Sequence, residues 1–455
     1  MKQARMITHK LMAMAIALVM GSCSSDVLSD MGQESQGKHT TKMEFVGKVI
    51  GFDQQVSTNA KMQSRAASSS TSWNDGDKIY ITFYNGTNII PGEATYSSTS
   101  GWSVSYDGDL ATGSNLKCEA RYFINATFAS SSLVSLNSNS EIYEDLNAAY
   151  AYSNGSLTVT ATLSPKTGRI RLTGKAGEKI YTTGISVYTT FAPAINTFST
   201  SNAMITSTVA SNGSTPYIYG YFTDDDRSLG LVGSDYAFTR TCTSSMFNKG
   251  ESGYMAIPSE ASHNNWRSGL YVKASGVEFK MIPVAGLESG FFLMAETETT
   301  EALYKSVNGT SSTSQLPITD YFSNYDSFIE KLNNETKLNF SLPTSSQWLY
   351  AAKGGNKSQN YTYSGSNTPG DVAWYAANCS QQQEVKTKAP NELGIYDMSG
   401  NVAELVADRY VSNYNYSYFG GSWAGKTTEI TKISYGRTDS GYNNYVGFRL
   451  ILTCK

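Results

Sequence analysis

The sequence predicts a multidomain protein, with an all-β sandwich in its N-terminal half and a smaller α+β module behind it. Three observations predict this. Short runs that alternate apolar and polar residues, bounded by turn residues, fill the chain from Met43 to about Trp266, which is the pattern of strands with one buried face. Helical spacing appears only later, at Tyr325, Phe328, Ile329 and Leu332, as an i, i+3, i+4, i+7 stripe. Beyond residue 42 about 410 residues remain, which ordinary domain sizes divide into two or three units.

The elements follow in chain order. Lys2, Arg5 and Lys10 form a basic segment, Leu11 to Met20 an apolar run, and Gly21 and Ser22 stand before Cys23. That order is a signal peptide, and the apolar run is too short to span a bilayer permanently. A cysteine directly after small residues resembles a lipobox, which implies removal of residues 1–22 and a lipid on Cys23. Residues 23–42 are mostly small and polar, with too little apolar content to pack, and read as a flexible tether. Ser24, Ser25 and Asp26 resemble short acidic signals of lipoproteins sent to the cell exterior. The expected location is therefore the outer membrane at the cell surface, with the membrane as a partner through the lipid.

Composition narrows the partners. The net charge of −3 with 16% charged residues leaves no basic patch, so nucleic acid is not expected as a partner. Abundant Tyr, Ser, Thr, Asn and Gly suit exported β-rich proteins. Besides Cys23 there are Cys118, Cys242, Cys379 and Cys454, scattered without metal-type spacing, and their pairing stays open. His9 and His39 fall in the leader and tether, so only His263 is left for any histidine-based site.

Within the β half, Lys78 to Tyr84, Trp102 to Tyr106, Leu157 to Leu163 and Arg169 to Thr173 alternate cleanly. Asn85-Gly86, Ser153-Asn154-Gly155, Gly168 and Gly174 bound them as turns. Phe45-Val46-Gly47, Ser64-Arg65-Ala66, Trp73 through Asp77 to Ile79, Tyr150-Ala151-Tyr152 and Gly168 to Leu172 resemble the fimbrillin-like family of Bacteroidetes lipoproteins over residues 43–265. The resemblance implies the β-sandwich of pilus subunits and their anchored accessory proteins, and other fimbrial subunits as partners. Arg65 is then a candidate processing site, because some pilin precursors are cut after an arginine to free an acceptor groove for a donor strand. The other reading is a plain turn arginine before a strand.

In residues 266–455, Thr344 with Gln347 three residues on forms a capping box, so a helix is expected to begin there and bury Trp348 with Ala351 or Ala352. Ordered segments carry a second resemblance: Val277 to Gly286, Ala295 to Tyr304, Leu342-Pro343-Thr344 with Trp348, Asp371 to Tyr375, Pro390 to Val402 with Glu404, Gly420 to Trp423, and Gly447 to Leu450. They resemble the formylglycine-generating, or sulfatase-modifying factor, family. That implies a variant of the C-type lectin fold, an irregular α+β module with bound calcium.

Formylglycine formation needs two thiolates on copper(I), a soft metal that thiolates suit. The family places them three and eight residues after the serine of Gly-Gly-Ser. Counted from Ser422, those positions are Gly425 and Ile430, so no catalytic residues and no copper are expected. Asp397, Glu404 and Asp408 are close in sequence, but structural or metal-binding roles are preferred for them over catalysis. Asn401, Val402 through its carbonyl, and Glu404 keep the family's calcium turn and are the candidate calcium ligands, against an alternative in which they only brace the turn. Tyr410, Tyr414, Tyr416, Tyr418 and Trp423 are candidate ligand contacts, as aromatics interleaved with Asn and Ser suit stacking on sugars; the alternative is a tyrosine-rich strand. The expected function is a non-catalytic fimbrial or adhesion component whose lectin-fold module binds glycan or a host surface protein. A pilus anchor or tip subunit without glycan binding, and an enzyme with an unrecognised site, are the alternatives.

Overall fold

The computed structural model describes residues 38–54, 69–70, 73–130, 133–222, 227–242, 248–256, 266–288, 290–320, 322–409, 416–430, 433–434 and 444–454. The all-β reading of the N-terminal region holds, and the strands resolve into two units. In the first, the pairing closes into a ring. Lys38–Ile50 bonds antiparallel to Gly101–Asp107, and the ring continues through Asn88–Ser97, Lys78–Asn85, Gly113–Ile124, Ala149–Ser153 and Ser156–Pro165. The last strand returns to Lys38–Ile50 in parallel. Inward residues such as Ile81, Phe83, Val104, Tyr150, Leu157 and Val159 fill one interior. Ser156–Pro165 alternates buried and open positions as its sequence suggests, and its hairpin turns at Asn154 and Gly155, both with positive φ, as a two-residue hairpin loop requires.

Lys78–Asn85 is buried on both faces. Its outward Tyr80, with Phe123 and Ile142, packs on Phe191 of the second unit. That unit is a two-sheet sandwich. One sheet contains Gly168–Thr173, Ile185–Ala192, Ile218–Phe222 and Glu251–Ala256; the other contains Lys179–Thr183, Ile205–Thr208, Ser228–Val232, Ala237–Thr241 and Trp266–Ser268. Ile170, Leu172, Leu229, Leu231, Phe238 and Trp266 share the core between them.

The structure moves both edges of the β region. Residues 38–42, read as tether, are the first half of the opening strand. Their polarity does not prevent this, because backbone pairing to Ser103–Asp107 needs no apolar side chain, and His39 stacks on Tyr106 at 5.5 Å. At the other end, Trp266–Ser268 pairs with Phe238–Arg240, so the C-terminal unit begins after Ser268, not at 266.

The C-terminal unit is α+β. A five-stranded sheet (Leu270–Ala274, Val277–Val284, Phe292–Ala295, Ile451–Leu452, Phe340–Ser341) and a four-stranded sheet (Ile433–Ser434, Tyr416–Phe419, Ala403–Arg409, Val446–Phe448) form its frame. The helix Phe322–Thr336 buries Tyr325, Phe328 and Leu332 on the stripe read from sequence. The helix Ser345–Ala352 starts on the expected capping box, with Gln347 N–H to Thr344 Oγ1 at 3.2 Å and Thr344 N–H to Gln347 Oε1 at 2.9 Å, and it buries Trp348 and Ala351. A third helix, Glu301–Val307, is capped by Thr300 and was not legible as a helix, being too short for a period. Val232 and Ala237 of the second β unit lie in the same core as Leu270, Met281, Leu293 and Phe328, so the C-terminal unit is fused to it through packed side chains. Among the described residues no helix is long and apolar enough to cross a membrane.

Candidate functional site

The segments that carry the second resemblance converge on one buried polar network. The turn Tyr396 to Val402 crosses beneath the Gly420–Trp423 loop. Asn401 N–H donates to the Trp374 carbonyl at 2.8 Å, and the Asn401 carbonyl accepts from Trp423 N–H at 2.7 Å. Asp397 and Asn401 both take positive φ, which short polar side chains tolerate better than most. Asn401 and Glu404 are fully buried.

Arg449 lies at the centre and is itself fully buried. Its fork holds Glu404 on both oxygens, Nη2 to Oε1 at 2.6 Å and Nε to Oε2 at 3.0 Å, while Trp348 Nε1–H donates to the same Oε2 at 2.6 Å. Nη1–H also reaches the Ala295 carbonyl and a second Nη2–H the Tyr396 carbonyl. Such a bidentate pair with further hydrogen bonds is what makes a buried charge tolerable. Glu298 sits beside it, accepting from Val402 N–H at 3.1 Å and Asn401 Nδ2–H at 3.0 Å.

Three carboxyls around one guanidinium leave an excess of negative charge. Burial, then Asp397 and Glu404, hold the Glu298 carboxyl well above the usual carboxylate range. Burial likewise pushes Asp397 up to about 6. Its Oδ2 accepts from Lys386 N–H at 2.7 Å, whereas Oδ1 is buried without a partner. Burial works against the Arg449 cation, but Glu404 outweighs it and keeps the charge in place.

This geometry favours the braced turn over calcium among the two expected roles. Both Glu404 oxygens are taken by Arg449 and Trp348, and a calcium ion there would face the guanidinium. Asn401 Oδ1 accepts from Gln383 N–H at 2.9 Å. Asn401, Val402 and Glu404 therefore brace the turn, and the set does not fit calcium, which needs six to eight free oxygens. Among the described residues no group of three or more His, Cys, Asp or Glu is arranged to hold a metal.

The other expected residues fall as follows. Cys23, Arg65, Tyr410 and Tyr414 lie outside the described residues, and Tyr416 is described only through its backbone, opposite Arg409. Tyr418 packs half-buried against the core, a supporting position rather than a displayed one. Trp423 is half-buried, with its ring 5.2 Å from that of Tyr445, which is 38% exposed. Gly425 and Ile430 are buried. Cys118, Cys242, Cys379 and Cys454 are free thiols. Burial raises all four: Cys118 and Cys454 to about 12, Cys242 to about 11, and Cys379 upward with it. None is poised as a thiolate.

Glu298, Arg449 and Trp348 are the members that sequence reasoning did not single out by role. The available signal was Arg449 alone inside the apolar run Val446 to Leu452, where an arginine must find a buried partner.

Comparison with known proteins bears on this unit most directly. The family profile of the sulfatase-modifying factor enzyme 1-like domain matches residues 269–454. The chaperone protein LppX of Paenibacillus barcinonensis is 47% identical over 89 residues, 16% of this chain and 32% of that protein, so the chain spans about a third of that relative's length. Among solved structures, variable protein 1 of Treponema denticola aligns at 24% identity over 40% of this chain and 98% of its own, with a TM-score of 0.36. A fimbrial protein from Bacteroides ovatus aligns at 10% identity over 92% of this chain and 100% of its own, with a TM-score of 0.27. Behind an all-β region, residues 269–454 of this chain are a sulfatase-modifying factor enzyme 1-like domain.

Proposed function

We propose that the chain is a non-catalytic, lipid-anchored surface protein of the adhesion type, in which fimbrial-type β units present the C-terminal domain to a glycan or host surface protein. One observation carries the non-catalytic part. Counted from Ser422 as the family resemblance implies, the copper-binding positions are Gly425 and Ile430, both buried, and burial raises the four described thiols above their ordinary range. Glu404 is held by Arg449, and Glu298 and Asp397 each accept from a backbone N–H, which supports a role in the fold. Supplied with copper(I), oxygen and a cysteine-containing peptide, the purified chain is expected to yield no formylglycine; its appearance would overturn the reading. A glycan and host-matrix array probed with the full chain tests binding, and no signal on any spot removes the adhesion part.

The second reading is assembly into a pilus as an anchor or tip subunit. It is favoured by one observation: Lys38–Ile50, upstream of Arg65, occupies its slot between two strands through backbone pairing, as a separable strand would. Mass spectrometry of sheared fimbriae distinguishes the two. Recovery of the chain there, cut after Arg65, supports assembly; recovery only as membrane-bound monomer opposes it.

A further inference from the structure

We propose that the closed β unit is a tension-bearing clamp, because the strand through which load enters it, Lys38–Ile50, is bonded side by side and in parallel to the strand through which load leaves it, Ser156–Pro165. The proposal rests on the adhesion reading only in assuming that the chain is pulled between an N-terminal attachment and its C-terminal domain.

The register runs from Met43 opposite Leu157 to Val49 opposite Leu163. Lys38 therefore lies at one end of this pair of strands and Pro165, with the connection to the second unit at Gly168, at the other. Tension between those points acts along the strands and loads the evenly spaced bonds of the parallel ladder together. Tension across the strands would instead open the ladder one bond at a time. The clamp is also closely fitted. Met43, Val49, Leu157 and Leu163 are buried, and Gly47 faces Ala161 so tightly that a Cβ on Gly47 would lie 2.2 Å from the Ala161 carbonyl oxygen. Only glycine permits that approach.

The far end of the entering strand is fixed as well. Phe52 is buried, with its ring 5.4 Å from Tyr219 and 6.0 Å from Tyr143, and the Arg169 guanidinium 4.7 Å from its face. Asp53–Gln54 then pairs in parallel with Glu251–Ser252 of the second unit. The arrangement recurs there. Gly168–Thr173, where load would enter, pairs in parallel with Glu251–Ala256, near the exit.

Single-molecule pulling on the full chain tests this in two geometries. Handles at the N and C termini load the strands in shear. Handles at the N terminus and at exposed Thr87 load them crosswise, because Lys38 faces Asp107 and Tyr106 faces Gly92, which brings the Asn85–Asn88 hairpin to the same end of the sheet as Lys38. Opening of residues 38–165 adds roughly 45 nm at about 3.5 Å per residue, which identifies the event in the first geometry. The force that releases Lys38–Ile50 is expected to be higher in shear than crosswise, and Gly47→Ala is expected to lower the shear force. Equal forces in the two geometries overturn the clamp, and so does a shear force that Gly47→Ala leaves unchanged. Neither result depends on ligand binding, which the array reads separately.

Discussion

Among the described residues two arginines are buried, and the protein treats them differently. Arg121 lies at the junction of the two β units. There it donates to Asn196 Oδ1 at 2.6 Å and to Glu119 Oε2 at 2.7 Å, with its guanidinium 5.1 Å from the Phe191 ring. Its partners also bond one another, since Asn196 Nδ2–H reaches Glu119 Oε2 at 2.9 Å. Arg449 in the C-terminal domain is instead the sole guanidinium among Glu298, Asp397 and Glu404. The β region spreads its stability over backbone ladders and shared partners, whereas the loop-built domain concentrates it on one side chain.

The largest effect is expected at Arg449. Arg449→Leu leaves Glu404 buried and uncompensated, at a cost of about 3–5 kcal/mol. A thermal scan is expected to lose the C-terminal transition, and Arg449→Lys should not restore it, because an ammonium cannot span both oxygens. A full-height transition in Arg449→Leu would refute the concentration of stability there.

Asp397→Asn should act in the opposite direction. A carboxyl near 3.8 when unfolded and about 6 when folded destabilises the fold in full above pH 6 and not at all below pH 4. The substitution is therefore expected to stabilise on the order of 2–3 kcal/mol at pH 7.5, with the gain fading between pH 6 and pH 4. Urea melts at the two pH values read it, and a gain that does not change with pH would assign the effect to something other than charge.

Arg121→Met should cost less, about 1–3 kcal/mol, because Asn196 and Glu119 keep each other. Its signature is a split of the β transition in two as the junction loosens. Smallest of all, Thr344→Ala removes one cap and should cost about 1 kcal/mol, read as a small shift of the C-terminal transition alone.

The same contrast explains what the sequence allowed to be read. Strand alternation and the Thr344 to Gln347 cap are local patterns, and both appear where expected. The closure of Lys38–Ile50 onto Ser156–Pro165 is not local, since no period links segments more than a hundred residues apart. Residues 38–42 were misplaced because composition measures burial, and an edge of paired backbone needs none. At the site, Asn401, Val402 and Glu404 are where the family pattern puts them. The choice the pattern leaves open between calcium and a braced turn depends on Arg449, which occupies Glu404 and lies far along the chain, just past the strand Val446–Phe448. Glu298 was hidden by its neighbours: Glu296 and Glu301 carry ordinary ion pairs to Lys280 and Lys305, so the run reads as a solvated acidic stretch.

The core that joins Val232 and Ala237 to Leu270 and Met281 bears on how this protein can be rebuilt. A C-terminal domain excised at Ser268 would carry an uncovered apolar face where those strands belong. Grafting it onto another carrier, or exchanging it for a different recognition domain, would require moving Ser228–Val232 and Ala237–Thr241 along with it. The unit of exchange is thus larger than the family boundary suggests, and the direction in which its outer surface points is set by the carrier rather than by a swivel.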